Sequence, residues 1–247
     1  MRTVRLARAL SKLGYCSRSR AQQLIRAGRV RVNGFAKRNP EAPVLLGRDR
    51  IEVDGGRVGP AERIYLMLNK PRGLVTTAAD EKGRPTVYSK LDHDLPWLAP
   101  VGRLDKASEG MLLLTNDPEW AAQVLAPETH LPKTYHVQVS GVTDAELASA
   151  LMKGLRRTDG DLLRVKDARI LRHGHRNTWL TIVLDEGKNR QIRRMLDELG
   201  IEVLRLVRVA IGPLTLGDLA KGASRPLTGD EKSAIDAAMR QSAAKGK

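Results

Sequence analysis

The seven strand-like runs beyond residue 60 do not alternate with the helix-like ones there, and that order limits the fold more than any other single feature. Strand-type stretches fall at 64–69, 74–77, 111–115, 134–140, 162–171, 178–184 and 203–210, and helix-type stretches at 119–125, 144–153, 190–199 and 230–240. A doubly wound parallel sheet needs strand and helix in regular succession. This region therefore reads as α+β, with more strands than the helices can cover.

Residues 1–56 read as a separate small module of helix, helix and strands. Val4, Leu6, Ala9, Leu10 and Leu13 make a helical stripe that ends at Gly14. Ser17 can cap a second helix over residues 18–27, which Gly28 ends. Residues 30–32 alternate and turn at Asn33-Gly34, a hairpin dipeptide, and residues 49–54 alternate again. Gly56, Gly59 and Pro60 mark a flexible linker over 57–63, which would leave the module mobile. The second domain is expected over 64–240, with a basic, frayed tail at 241–247. A total of 247 residues suits one medium domain plus a small one.

Charge separates the same two regions. The chain carries a net charge of +15, and no acidic residue occurs before Glu41. A localised cationic surplus predicts a polyanion partner, of which nucleic acid is the commonest. A membrane surface fits less well, because the basic segment lacks a clean Leu-rich or aromatic face. No apolar run reaches transmembrane length, and the N-terminus lacks a signal-peptide core. The single cysteine, Cys16, excludes an internal disulfide and a cysteine zinc cluster and suits the cytoplasm. With three Trp, four Tyr and one Phe, the chain cannot build a multi-base stacking platform, so Arg and Lys contacts to phosphate would dominate any nucleic-acid binding.

Three segments carry candidate chemistry. In the first, a polar loop bracketed by Gly102 and Gly110 runs into the apolar strand Met111-Leu112-Leu113-Leu114. Asp105 at the mouth of that strand can serve as nucleophile or general base, or simply as the anchor of a β-turn. In the second, Lys188, Arg190, Arg193 and Arg194 crowd the start of a helix, where cations oppose the macrodipole and call for a phosphate or a carboxylate. In the third, Tyr135 can stack on a base or pack within its strand. No P-loop, dinucleotide fingerprint or zinc-protease motif occurs, and His173 and His175 sit among arginines that oppose a cation. No metal and no cofactor is indicated.

Gly102-Arg103-Leu104-Asp105 followed by Ser108-Glu109-Gly110-Met111-Leu112-Leu113-Leu114-Thr115-Asn116-Asp117 resembles the signature of bacterial ribosomal RNA pseudouridine synthases, the small-subunit type and its large-subunit relatives. Asn69-Lys70-Pro71-Arg72-Gly73 resembles the first motif of that family, Lys133-Thr134-Tyr135 its tyrosine segment, and Glu186 to Met195 its third motif. The run from Arg205 to Leu214 resembles the strand that closes the pocket. These motifs lie in order through residues 64–228. Residues 3–50 resemble an RNA-binding module of ribosomal-protein-S-four type. Met111 stands where Leu is usual, a volume-conserving change.

The resemblance implies a catalytic domain with a mixed, mostly antiparallel sheet, flanking helices and an RNA cleft. It implies isomerisation of uridine to pseudouridine in ribosomal RNA by one aspartate, Asp105, on a flipped base. Arg193 is then its ion-pair partner, Tyr135 packs on the base, Leu206 makes an apolar floor and Arg103 joins them in substrate binding. Whether Asp105 attacks the sugar, adds to the base or first removes a sugar proton stays open. Arg18, Arg20, Arg26, Arg29 and Lys37 are the RNA-binding candidates of the N-terminal module. The wording of the Asp105 loop favours 23S over 16S RNA, and a monomer is expected. One alternative is a non-catalytic RNA-binding ribosome-assembly protein. Another is a sugar–base hydrolase using Asp105 and Glu109, which would need a helical loop to bring the two within about 6 Å.

Overall fold

The structure, a computed structural model, describes residues 3–78, 80–156 and 162–245, with side chains as far as residue 241. The N-terminal unit runs β1 (Val4–Arg5), α1 (Leu6–Lys12), α2 (Arg18–Arg26), β2 (Val30–Val32), β3 (Phe35–Lys37), β4 (Pro43–Val44), β5 (Ile51–Val53) and β6 (Gly56–Val58). Ser17 Oγ caps α2, accepting from the backbone N–H of Arg20 at 3.1 Å. An antiparallel sheet ordered β3-β2-β5-β6 carries two tight turns, Asn33-Gly34 and Asp54-Gly55, with positive φ at all four residues. Residues 57 and 58 were expected to begin the linker. They pair with β5 instead, as the end of β6, because Asp54-Gly55 is as good a hairpin signal as Asn33-Gly34.

The second unit runs β7 (Tyr65–Lys70), β8 (Ala99–Val101), β9 (Glu109–Thr115), α3 (Pro118–Leu125), β10 (Lys133–Ser140), α4 (Ala145–Lys153), β11 (Leu155–Arg156), β12 (Leu162–Leu163) and β13 (Asp167–His173). It continues with β14 (Asn177–Leu184), α5 (Gln191–Glu198), β15 (Val203–Ile211), β16 (Leu214–Thr215), β17 (Ser224–Pro226) and α6 (Gly229–Lys245). The main sheet is ordered β13-β14-β10-β15-β9-β7-β17, with β8 on β9 and β16 on β15. Every pairing in it is antiparallel except β15 with β9, which is parallel. The fold is the α+β arrangement expected, a small N-terminal unit followed by a mixed, mostly antiparallel sheet with flanking helices.

Two expected strands differ. Residues 74–77 form only one bridge, Val75 to Thr86. The segment looks apolar because Leu74 packs with Val87, Leu98 and Leu104 against the sheet, not because it joins it. The expected strand over 162–171 breaks into β12 and β13, and residue 161 before it lies outside the described residues. At the other end α6 continues to Lys245, through most of the expected tail.

Core packing divides the sheet into two faces. On the front, α4 and α5 pack on β10, β14 and β15 through Leu147, Leu151, Ile192 and Leu196. On the reverse, α3 and α6 cover β9 and β7 through Trp120, Val124, Ile235 and Met239.

The N-terminal unit does not hang on a free linker. Ala61 N–H donates to Leu13 O at 3.1 Å, Arg63 Nη1 to Asn116 O at 2.9 Å, and Lys12 Nζ meets Glu119 Oε1 at 2.5 Å. The buried Asn116 side chain holds the connection by accepting from Ile64 N–H and donating to Glu62 O.

Candidate active site

Asp105 lies in the turn between β8 and β9, and the backbone of that turn is tied down carbonyl by carbonyl. Leu104 O accepts from Thr76 Oγ1 at 2.7 Å. Asp105 O and Ser108 O both accept from Lys70 Nζ, at 3.1 and 2.8 Å. Lys106 O accepts from Gly73 N–H at 2.7 Å, and Ala107 O from Arg193 Nη2 at 3.2 Å. Five consecutive carbonyls are thus occupied, and the loop's position is set from behind.

Lys70 is fully buried beneath the loop, and burial pushes its ammonium down to about 8, against the pull of Asp105 and Glu109. The strand that follows is pinned as closely. Gly110 has φ +99°, and a Cβ there would stand 2.3 Å from Arg208 O. Only glycine allows the parallel approach of β9 to β15 at this point.

Asp105 keeps its side chain 32% exposed. It lines a cavity of about 580 Å³ together with Arg103, Tyr135, Arg193, Leu206 and Arg208. It also lines an adjoining cavity of about 380 Å³ with Thr76, Lys82, Lys106, Glu81 and the ion pair of Arg84 with Asp80. Tyr135 comes from β10 and Leu206 and Arg208 from β15, neighbouring strands in the sheet. Arg208 is buried; its Nε donates to Met111 O at 2.8 Å, while Nη2 is buried with no hydrogen-bond partner among the described residues. A buried unpaired donor in a cavity wall is suited to an acceptor on a ligand.

The guanidinium nearest the Asp105 carboxylate belongs to Arg190, with Nη1 3.6 Å from Oδ2. This corrects the expected pairing with Arg193. Arg193 is committed to the loop backbone and to Val203 O, and its Nε is buried without a partner. Burial, then Arg190, lowers the Arg193 pKa, while Asp105 opposes the shift. Arg190 sits at the N-cap of α5 with φ +50°, a left-handed conformation that costs a non-glycine residue about 1 kcal/mol or more. That kink turns its side chain back toward Asp105 and places one counter-anion by the cationic helix start.

Glu109 has no such freedom. Its carboxylate receives Arg205 Nε and Nη2, both at 3.0 Å, and Lys221 Nζ at 2.6 Å. Burial raises its pKa, but these three donors outweigh burial and hold it below the ordinary carboxylate range. The loop before it is not helical, so the two-carboxylate hydrolase has neither its geometry nor its second acid.

All five residues expected at the site, Asp105, Tyr135, Arg193, Leu206 and Arg103, line the larger cavity. Lys70, Thr76, Arg190 and Arg208 were not singled out as site residues. Lys70, Arg190 and Arg208 lay within noted motifs, and Arg190 among the helix-start cations that call for an anion, but nothing local distinguished a buried ammonium or a strained cap. In the N-terminal unit Arg18, Arg20 and Arg26 are exposed on α2, and Lys37 is half-buried on β3. Arg29 is bound to Asp54 by two hydrogen bonds, one of them Nε to Oδ1 at 2.7 Å, so it is not the free cation expected. Arg38, which was not a candidate, donates from Nη1 to Arg26 O at 3.1 Å beyond the end of α2. Among the described residues no group of three His, Cys, Asp or Glu side chains could hold a metal ion, and no helix is long and apolar enough to cross a membrane.

Comparison with known proteins agrees with this layout. Residues 64–198 match the RNA pseudouridylate synthase family, and residues 4–49 match the S4 domain. An uncharacterized RNA pseudouridine synthase of Aquifex aeolicus (strain VF5) is 40% identical, over 94% of this chain and 93% of its own length. Ribosomal large subunit pseudouridine synthase B of Bacillus subtilis (strain 168) is 36% identical, over 92% of this chain and 93% of its own. A crystal structure of a pseudouridylate synthase superposes with a TM-score of 0.64 at 32% identity, over 94% of this chain and 99% of that one.

Proposed function

We propose that this chain, which belongs to the RNA pseudouridylate synthase family and carries an S4 domain at its N-terminus, converts one uridine of 23S ribosomal RNA to pseudouridine with Asp105 as its only catalytic carboxylate. The observation that carries the assignment of Asp105 is the contrast within its own segment. Every carbonyl from Leu104 to Ser108 is engaged and Glu109 is neutralised, while Asp105 lines two cavities and keeps its side chain 32% exposed.

The target uridine leaves its stack and enters the larger cavity. Tyr135 packs on the uracil, Leu206 forms the floor, and the unpaired Nη2 of Arg208 donates to a uracil carbonyl. Arg190 steadies the Asp105 carboxylate, and Arg193 positions it through the loop backbone. The bond from ribose C1′ to uracil N1 breaks, the base turns, and a bond from C1′ to C5 forms. The C5 proton is lost and N1 gains one, so the reaction is redox-neutral and the reading requires no cofactor. Arg103, Lys82 and Lys106 receive the neighbouring backbone, while Arg84 is already held by Asp80. Arg18, Arg20, Arg26 and Lys37 hold RNA phosphates further out.

The preference for 23S RNA draws on the loop wording and on the similarity to the large-subunit enzyme of Bacillus subtilis. The reading is of a monomer acting in the cytoplasm.

The experiment is pseudouridine mapping of total ribosomal RNA from a strain lacking the gene, rescued by wild type or by Asp105→Asn. One 23S uridine that loses its modification and regains it only with Asp105 is the expected result. A 16S position would overturn the RNA assignment, and rescue by Asp105→Asn would overturn the catalytic one.

A further inference from the structure

We propose that the uncovered half of the sheet's reverse face, centred on Trp179, is a second RNA-binding surface that takes an unpaired stretch of RNA outside the cleft. The inference uses the RNA-modifying reading only for the identity of the polyanion. Directly paired residues of a sheet share a face. Arg172 pairs with Trp179, Trp179 with Gln138, and Gln138 with Arg205, which makes one row across four strands. Arg169, Thr181, His136 and Val207 make the next row by the same logic. These side chains point away from Tyr135, Val137 and Leu206, and so away from the cleft. The helices α4 and α5 lie on the cleft side, and α3 and α6 cover the other half of the reverse face. No helix among the described residues lies over the Trp179 rows.

The chemistry of this face is that of a nucleic-acid platform. Trp179 is half-buried, with the guanidinium carbons of Arg172 and Arg205 at 5.1 and 5.6 Å from its ring centroid. A guanidinium stacked on an indole offers its outer plane to a base and its edge to a phosphate. Four cations, Arg169, Arg172, Arg205 and Lys221, meet two carboxylates. Glu109 is consumed by Arg205 and Lys221, and Asp167 lies at the far end, two rows from Trp179. His136, beside them, has its pKa lowered by burial and then by Arg172 and Arg169, so it titrates under the positive potential of this face. A second copy of the chain on this face would bring arginines against arginines. An RNA strand meets them with phosphates and bases.

The test uses the full chain and a labelled oligocytidine 12-mer, which has no uridine for the cleft to act on. Kd and its salt dependence are measured for wild type, Trp179→Leu, Trp179→Phe and the double variant Arg169→Ala, Arg172→Ala. Affinity should fall about tenfold in Trp179→Leu and recover in large part in Trp179→Phe, because a flat ring suffices for stacking. The double variant should lose about one to two charges' worth of salt slope. Ultraviolet crosslinking should place the oligonucleotide on β13 or β14. Equal affinity across the four proteins, or crosslinks confined to cleft residues, would overturn the proposal. So would Trp179→Leu altering self-association with RNA affinity unchanged. None of these readouts depends on pseudouridine formation, so inactivity in the mapping experiment would leave this result standing, and the reverse.

Discussion

The Asp105 loop and the N-terminal unit both serve RNA in the reading above, and they hold their charges in opposite ways. In the loop the backbone is fixed at five successive carbonyls, and one carboxylate projects from it. On α2 the backbone is an ordinary capped helix, and long arginine side chains stand in solvent. Chemistry on a base fails when the reacting group is misplaced by about an ångström. Phosphate contacts tolerate side-chain motion, because a Coulomb attraction falls off gradually and a flexible cation can follow its target. The molecule spends buried polar groups on the first task and exposed ones on the second.

The largest expected effect lies at the centre of this contrast. Asp105→Asn should cut single-turnover rate by about 10³-fold or more while leaving RNA affinity and melting temperature close to wild type. A large loss of affinity instead would make Asp105 a binding group and erase the distinction.

Gly110→Ala should destabilise by roughly 3 kcal/mol or more, because its Cβ meets backbone and not a side chain that can move away. Thermal unfolding would measure it, and a neutral result would mean the parallel junction is slack.

Lys70→Met should cost about 2–3 kcal/mol by leaving buried carbonyls unpaired. It carries a pH signature as well. The folded-state pKa of Lys70 is about 8 against an ordinary 10.5, so between those values the unfolded chain binds the extra proton. Lys70 therefore makes stability rise with pH from about 8 to 10.5, and denaturant titrations of Lys70→Met should lack that increment.

Arg190→Gly should raise stability by about 0.5–1 kcal/mol by relieving the left-handed cap, yet slow turnover by about tenfold as Asp105 loses its nearest cation. Unchanged turnover would break the assignment of Arg190.

The smallest effect belongs to the other region. Arg26→Glu should weaken RNA binding modestly and flatten its salt slope by about one, with no change in turnover at saturating RNA. Arg29→Gln should do less, because Asp54 already holds Arg29.

Much of this was legible in the chain. The runs at 111–115, 134–140, 178–184 and 203–210 became strands because alternation or continuous apolarity marks burial directly. The cap at Ser17 and the turn at Asn33-Gly34 followed from local hydrogen bonding and backbone sterics. The loop over 74–77 was misread as a strand because apolar content reports burial and not pairing. The hairpin at Asp54-Gly55 was hidden by the glycines and proline that follow it.

The sequence by itself determined the order of the two units, the concentration of cations in the first, and a carboxylate at the mouth of a buried strand. Only the tertiary structure decided which cation faces Asp105, that Lys70 gathers carbonyls from residues 35 and 38 positions later, and that Glu109 is silenced by an arginine 96 positions away. Periodicity and turn chemistry act over a few residues and can be read locally. The partner of a buried charge depends on which strands the sheet brings side by side, and that is set by the packing of the whole chain.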